Sequence, residues 1–208
     1  PQFVCITRPR RFGKTVMANM VAAFFEKGLN SGEIFDRLQI SSALGYREHL
    51  NAHQVIYLDF SDVPENCCSY EQYISYLIRT LKEELSEVYR ELQLDSEKAL
   101  WDLLTDIFFA ENDQRFVFVV DEWDAVFHMP YVTEDEKKQF LLFLKSLFKS
   151  RVYVELVYMT GILPIAKYSG GSELNMFLEY TMTAKSRYGE FFGFTDPEVD
   201  ELYERYLK

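Results

Sequence analysis

Apolar and polar positions follow two rhythms along this chain. Four short runs are apolar almost throughout: Phe3-Val4-Cys5-Ile6, Val55 to Phe60, Phe116-Val117-Phe118-Val119-Val120, and Val152 to Met159. Such runs are the pattern of strands covered on both faces of a sheet. Between them apolar residues recur every three or four positions, the period of a helix. The first helix is expected to start at Lys14 or Thr15, run to about Lys27 and end at Gly28. Ser69 with Gln72 makes a capping box ahead of Tyr73, Ile74, Leu77, Ile78, Leu81, Leu85, Val88 and Leu92, which predict a long amphipathic helix. Leu100, Trp101, Leu104, Ile107 and Phe108 mark the next helix. Thr133 with Glu136 opens another, carrying Phe140, Leu141, Phe143, Leu144, Leu147 and Phe148. Residues 29–54 show only weak apolar punctuation. Strand and helix thus alternate four times, which predicts an α/β fold, an open, mostly parallel sheet flanked by helices.

The tail changes character. Ser169-Gly170-Gly171-Ser172 reads as a flexible loop, and Phe191-Phe192-Gly193-Phe194 is aromatic and punctuated by glycine. Thr195, Pro197 and Glu198 start a last helix with Val199, Leu202, Tyr203 and Tyr206. The expected organisation is one large domain over residues 1–188 and the start of a small helical subdomain over 189–208.

The 208 residues, 48% of them hydrophobic, suffice for a sizeable core, and nothing suggests disorder. With 33 acidic and 22 basic residues the net charge is −11, which argues against a broad nucleic-acid-coating surface. Basic residues do gather locally at Arg8, Arg10, Arg11 and Lys14. Cys5, Cys67 and Cys68 make neither a disulfide framework nor a metal-ligand spacing and are expected to be reduced. No apolar run reaches membrane-spanning length and no signal peptide is visible, so a cytoplasmic location is expected. The chain begins at Pro1, directly before the first strand, and is expected to be a piece of a longer protein.

The chemistry concentrates after the first strand, in Thr7-Arg8-Pro9-Arg10-Arg11-Phe12-Gly13-Lys14-Thr15. Strand, loop ending Gly-Lys-Thr, helix is the layout of a phosphate-binding P-loop. The first amides of a helix lack partners within it, and the helix dipole adds positive potential there. A triphosphate satisfies both. Gly13 allows close backbone approach, Lys14 is placed to reach the β- and γ-phosphates, and the Thr15 hydroxyl to ligate Mg²⁺. Arg8 stands where the usual pattern has its first glycine. The second half of the site follows the third strand: Asp121 is expected to hold Mg²⁺, and Glu122 to polarise the attacking water, as in P-loop enzymes with an additional strand between the loop strand and the Asp strand. Thr160, closing the fourth strand, is a candidate catalytic residue, placed either to sense phosphate or to position water. Asp124 is open to pairing with Arg10, Arg11 or another arginine, or to remaining solvated. Arg151, Lys167, Lys185 and Arg187 are candidates for a cation reaching the γ-phosphate. His49, His53 and His128 have no ligand spacing.

The loop at 7–15 resembles that of the bacterial AAA-ATPase-like family, whose members read Arg-Pro-Arg-Arg-Phe-Gly-Lys-Ser or Thr. Val-Ile-Tyr-Leu-Asp-Phe-Ser at 55–61, Val-Val-Asp-Glu-Trp-Asp at 119–124, Thr-Gly-Ile-Leu-Pro-Ile-Ala-Lys at 160–167 and Phe-Gly-Phe-Thr-Asp-Pro-Glu-Val at 192–199 are similar too. The resemblance implies an additional-strand ATPase fold, in which Arg8 in place of glycine is normal. It implies phosphate binding by the loop, including Arg10, Arg11, Phe12, Gly13, Lys14 and Thr15, Mg²⁺ at Thr15 and Asp121, and Glu122 as the catalytic carboxylate. The family often carries a nuclease domain at its C-terminus, absent from this chain along with the usual segment before the first strand, so nuclease chemistry is not assigned. ATP rather than GTP rests on the resemblance alone.

The expected function is Mg²⁺-dependent ATP binding with slow or regulated hydrolysis. Two alternatives stay open: a nucleotide-dependent interaction module that turns over poorly, and a nucleic-acid-binding module using the basic loop. Nucleotide is the expected partner; an unidentified protein or an appended nuclease domain stays open, nucleic acid only through missing segments or the basic loop, and no membrane is expected.

Overall fold

The computed structural model describes residues 2–168, 173–181, 188, 191–194 and 196–207. Five strands form one sheet in the order β2-β3-β4-β1-β5: β1 is Phe3–Thr7, β2 Gln54–Asp59, β3 Phe116–Asp121, β4 Val154–Gly161 and β5 Leu178–Tyr180. Every pairing is parallel, from Asp59 beside Asp121 on one flank to Cys5 beside Glu179 on the other. β4 lies between β1 and β3, the additional-strand arrangement expected from the sequence.

Both faces are covered. The helix α1, Lys14–Phe25, packs on one face through Ala18 against Val4, Ile6, Val117, Val119 and Tyr158. The opposite face, with Cys5, Ile56, Leu58, Phe116, Phe118 and Met159, carries α4 (Tyr70–Val88), α5 (Leu100–Ala110) and α6 (Glu134–Phe148). Alternate residues of each central strand therefore enter different cores, which is why those strands read as unbroken apolar runs. Two one-turn helices, α2 (Gly32–Phe35) and α3 (Tyr46–His49), occupy the weakly patterned stretch and cover the end of α1 with Phe35 and Tyr46. The last helix, α7, spans Asp196–Tyr206; Thr195, expected to start it, lies outside the described residues, as does the loop 169–172.

Several boundaries differ from expectation for local reasons. α1 stops at Phe25 because Glu26 turns extended and bridges to His53, while its carboxylate accepts the amides of Gly28 at 2.9 Å and Val55 at 3.1 Å. Ser69 caps α4 by accepting from Gln72 N at 3.2 Å, but Gln72 Oε1 returns to the amide of Cys68 rather than of Ser69. The Thr133–Glu136 box is complete in both directions. α4 ends at Val88, and Leu92 lies in a separate 3-10 turn over 90–92. β4 begins at Val154 rather than Val152, whose side chain is exposed.

Candidate functional site

At the carboxyl ends of β1, β3 and β4 the loop from Arg8 to Gly13 turns the chain into α1. Arg11 (φ 70°) and Gly13 (φ 76°) both adopt the left-handed conformation, on either side of Phe12. Gly13 accommodates it freely, whereas Arg11 carries the steric cost of a side chain there. Gly13 is also the N-cap of α1, and no side chain caps the helix. Its first amides therefore face the loop as donors. Thr15, Arg10 and Gly13 are exposed and Phe12 is half-buried. Lys14 is buried, its Nζ 3.4 Å from Pro9 O and 3.5 Å from Glu122 Oε1.

The acidic turn meets the loop from β3. Asp121 is almost wholly buried, at 1% exposure. Its Oδ1 accepts the Thr160 hydroxyl and, at 3.1 Å, the amide of Glu122. Its Oδ2 accepts the Tyr57 hydroxyl at 3.4 Å. Burial first, and then the Asp121 charge, pushes the Tyr57 hydroxyl pKa well up, keeping it a donor. Glu122 takes φ 50°, a left-handed conformation that costs a residue with a Cβ roughly 1–2 kcal/mol. That turn aims its side chain back at Lys14. Backbone strain of this kind gathers where a side chain must be re-aimed.

The structure thus brings Lys14, Asp121, Glu122 and Thr160 together. Thr160 is buried with its hydroxyl on Asp121, so it is the carboxylate that it touches. Asp124 pairs with no loop arginine. It is buried beneath the turn after β4, accepts the amides of Ile162 (3.1 Å) and Leu163 (2.8 Å), and has His128 Nε2 at 3.9 Å. A solvated carboxylate was the other expectation, and burial excludes it. Arg151 donates to Ser146 O and lies against Trp101, and Lys167 lies 5.5 Å from the centre of the Tyr168 ring. Lys185 and Arg187 lie outside the described residues.

The basic cluster at the loop is not one surface. Arg10 and Arg11 are exposed, but Arg8 and Lys14 are buried. Arg8 Nη1 donates to Thr7 O and to Tyr180 O, both at 2.8 Å, and its guanidinium lies 5.2 Å from the centre of the Phe192 ring. Tyr57 and the Arg8 contacts were not anticipated. The placement of Tyr57 two residues before the end of a strand next to the Asp strand was the one available signal for it.

The donor set suits a hard cation held with phosphate. Among the described residues, no three His, Cys, Asp or Glu side chains are grouped to hold a metal by themselves. The Asp121 carboxylate and the Thr15 hydroxyl are oxygen donors of the kind Mg²⁺ takes, and that ion completes its shell with water and substrate oxygens.

A parallel sheet with β4 between the loop strand and the Asp strand, a Gly-Lys-Thr helix start and an Asp-Glu turn at neighbouring strand ends define a P-loop α/β domain of the additional-strand class. A family model described as Predicted AAA-ATPase matches residues 1–169, and the chain belongs to that family. Nucleotide binding, with ATP as the nucleotide, is what that family implies. No curated protein and no solved structure matches the chain. Among the described residues no helix is long and apolar enough to cross a membrane.

Proposed function

We propose that this domain binds ATP with Mg²⁺ at the carboxyl ends of β1, β3 and β4 and hydrolyses it slowly or under regulation. The observation that carries the reading is the Lys14–Glu122 contact of 3.5 Å across the end of β4. A buried lysine at a helix start and a glutamate at a strand end face each other over the place a terminal phosphate takes in this class of site.

The roles follow from position. The amides at the start of α1 and the Lys14 ammonium bind phosphate oxygens. Arg10, Arg11 and Phe12 line the loop. Thr15 and Asp121 hold Mg²⁺, which supplies charge neutralisation on the phosphates. Thr160 and Tyr57 orient the Asp121 carboxylate by donating to its two oxygens. Glu122 accepts from the attacking water and orients it. A C-terminal helical subdomain starts at about residue 189 and contains α7, and an unidentified protein or an appended domain is the partner that turnover serves.

The test is ATP binding and phosphate release with and without Mg²⁺, in the native chain, Lys14→Ala and Glu122→Gln. Binding lost in the first variant, and turnover lost with binding kept in the second, supports the reading. Tight binding with no turnover in the native chain replaces the enzyme by a nucleotide-dependent interaction module. No binding at all overturns the nucleotide site. The burial of Arg8 and Lys14 leaves Arg10 and Arg11 as the exposed cations of the loop, which weakens the nucleic-acid alternative.

A further inference from the structure

Arg8 stands where a P-loop ordinarily has glycine, and the phosphate-binding roles above leave it unused. It is 3% exposed. Its amide donates to Gly161 O at 3.1 Å, tying the first residue of the loop to the end of β4. Its side chain turns to the opposite flank, where Nη1 reaches Thr7 O at the end of β1 and Tyr180 O at the end of β5. The guanidinium carbon lies over the ring of Phe192, 5.2 Å from its centre, and Phe192 is itself buried in the core formed by Val4, Ile6 and Ala18. The next residue closes a second contact. Gly193 (φ 78°) lies so close to Phe12 that a methyl group built on it would be 3.0 Å from Phe12 Cδ1. Phe12 is the loop residue between the two left-handed positions, Arg11 and Gly13.

The segment 191–194 therefore grips the phosphate loop at both ends: at Arg8, where the loop leaves β1, and at Phe12, just before the helix. We propose that Arg8 is a positioning residue that makes phosphate binding by the loop depend on the docking of the 191–194 segment. This inference rests on the nucleotide site proposed above. Its physical content is mutual. A docked Phe192 fixes the guanidinium, and the fixed guanidinium sets where the loop leaves the sheet. An occupied loop, held in one conformation by phosphate, then favours the docked segment by the same factor. α7 starts at Asp196, two residues past Phe194.

The experiment uses the whole chain and two readouts. The first is the affinity for ATP and for ADP in Mg²⁺, measured with a fluorescent nucleotide. The second is the rate of chymotrypsin cleavage after Phe192 under native conditions, with and without nucleotide. The variants are Arg8→Met, Phe192→Leu, the two together, and Gly193→Ala. Each single variant is expected to weaken ATP and ADP alike, about tenfold, because the loop itself is displaced. Arg8→Met and Gly193→Ala, which leave the cleavage site Phe192 in place, are also expected to speed cleavage in the absence of nucleotide. The double variant is expected to be no weaker than the worse single one, since both break the same contact. Nucleotide is expected to slow cleavage of the native chain and to do so less in Arg8→Met. Should Arg8→Met be too unstable to study, Phe192→Leu and Gly193→Ala carry the test from the other side. Unchanged affinity in these variants, or affinity losses that multiply in the double variant, overturns the inference while leaving the nucleotide site intact. If the native chain binds no nucleotide, the function proposed above fails, and the inference fails with it. Faster cleavage of Arg8→Met would then show only that the segment docks on Arg8.

Discussion

Lys14 Nζ and Glu122 Oε1 are 3.5 Å apart, and the lysine is buried while a quarter of the glutamate is exposed. In the proposed function, the ammonium that would receive phosphate is held by the carboxylate that would act on water. The two charges neutralise each other where either alone would be costly to bury.

Removing that carboxylate charge frees Lys14. Glu122→Gln is expected to bind ATP and ADP a few-fold more tightly than the native chain, while phosphate release falls about 100-fold or more. Equilibrium binding together with a single-turnover assay checks both. Weaker binding in this variant would mean that Glu122 assists phosphate capture instead of competing with it.

Asp121 is steadied by two hydroxyls on opposite oxygens. Thr160→Val and Tyr57→Phe remove them one at a time and nearly isosterically. Each is expected to raise the Mg²⁺ concentration needed for half-maximal activity roughly tenfold, with little change in Mg²⁺-free nucleotide binding. A Mg²⁺ titration at fixed ATP separates this from a general loss of fold. In an Asp121→Asn background the Tyr57→Phe effect is expected to shrink, because the partner charge is gone.

Gly161 is a fixed point of a different kind. A methyl group there would lie 2.4 Å from Trp123 Cδ1 and 2.6 Å from Asp124 Oδ1, both side chains being buried. Gly161→Ala is expected to destabilise the fold by about 1–3 kcal/mol, by forcing the Trp-Asp turn off the end of β4. Urea unfolding measures it, and a loss under half of that would mean the turn has room to shift.

His53 links acidity to stability at the far end of the sheet. Its ring stacks on His49, with His53 Nε2 3.0 Å from His49 Nδ1, and packs against Phe25. Burial first, then the neighbouring His49, lowers its pKa, against weaker pulls upward from Glu155 and Glu48. A lowered folded pKa means that the unfolded chain binds the proton more readily. The stabilisation is therefore complete above the ordinary histidine value of about 6.5 and is lost as the pH falls through the folded value. Urea midpoints at pH 7.5 and 5.5 are expected to show a drop in the native chain and a smaller one in His49→Gln.

Much of this was legible in the sequence because burial imprints on single strands. β3 is buried at every position, and its apolar run announced the strand, with the Asp-Glu pair marking where it ends. β5 was not anticipated: Leu178, Glu179 and Tyr180 are three residues, and Leu178 is half exposed, so no run exists to read. Asp124 was misread because an acid in a turn looks the same whether it meets solvent or, as here, two backbone amides 38 and 39 residues away. Arg8 was noticed for what it replaces, but its carbonyl partner Tyr180 lies 172 residues further on. Local pattern reveals which residues are covered; it does not reveal which distant backbone atom a polar side chain will meet.

The position of β4 sets a width. Neighbouring strands lie about 4.8 Å apart, so placing one strand between β1 and β3 separates the loop strand from the Asp strand by about 10 Å. With β4 interposed, the two turns meet through their side chains, Lys14 Nζ reaching Glu122 Oε1 at 3.5 Å, while Thr160 at the end of β4 is buried with its hydroxyl on Asp121. The sheet thus acts as a spacer: backbone pairing, rather than any side chain, sets the distance that the lysine and the glutamate have to span to meet.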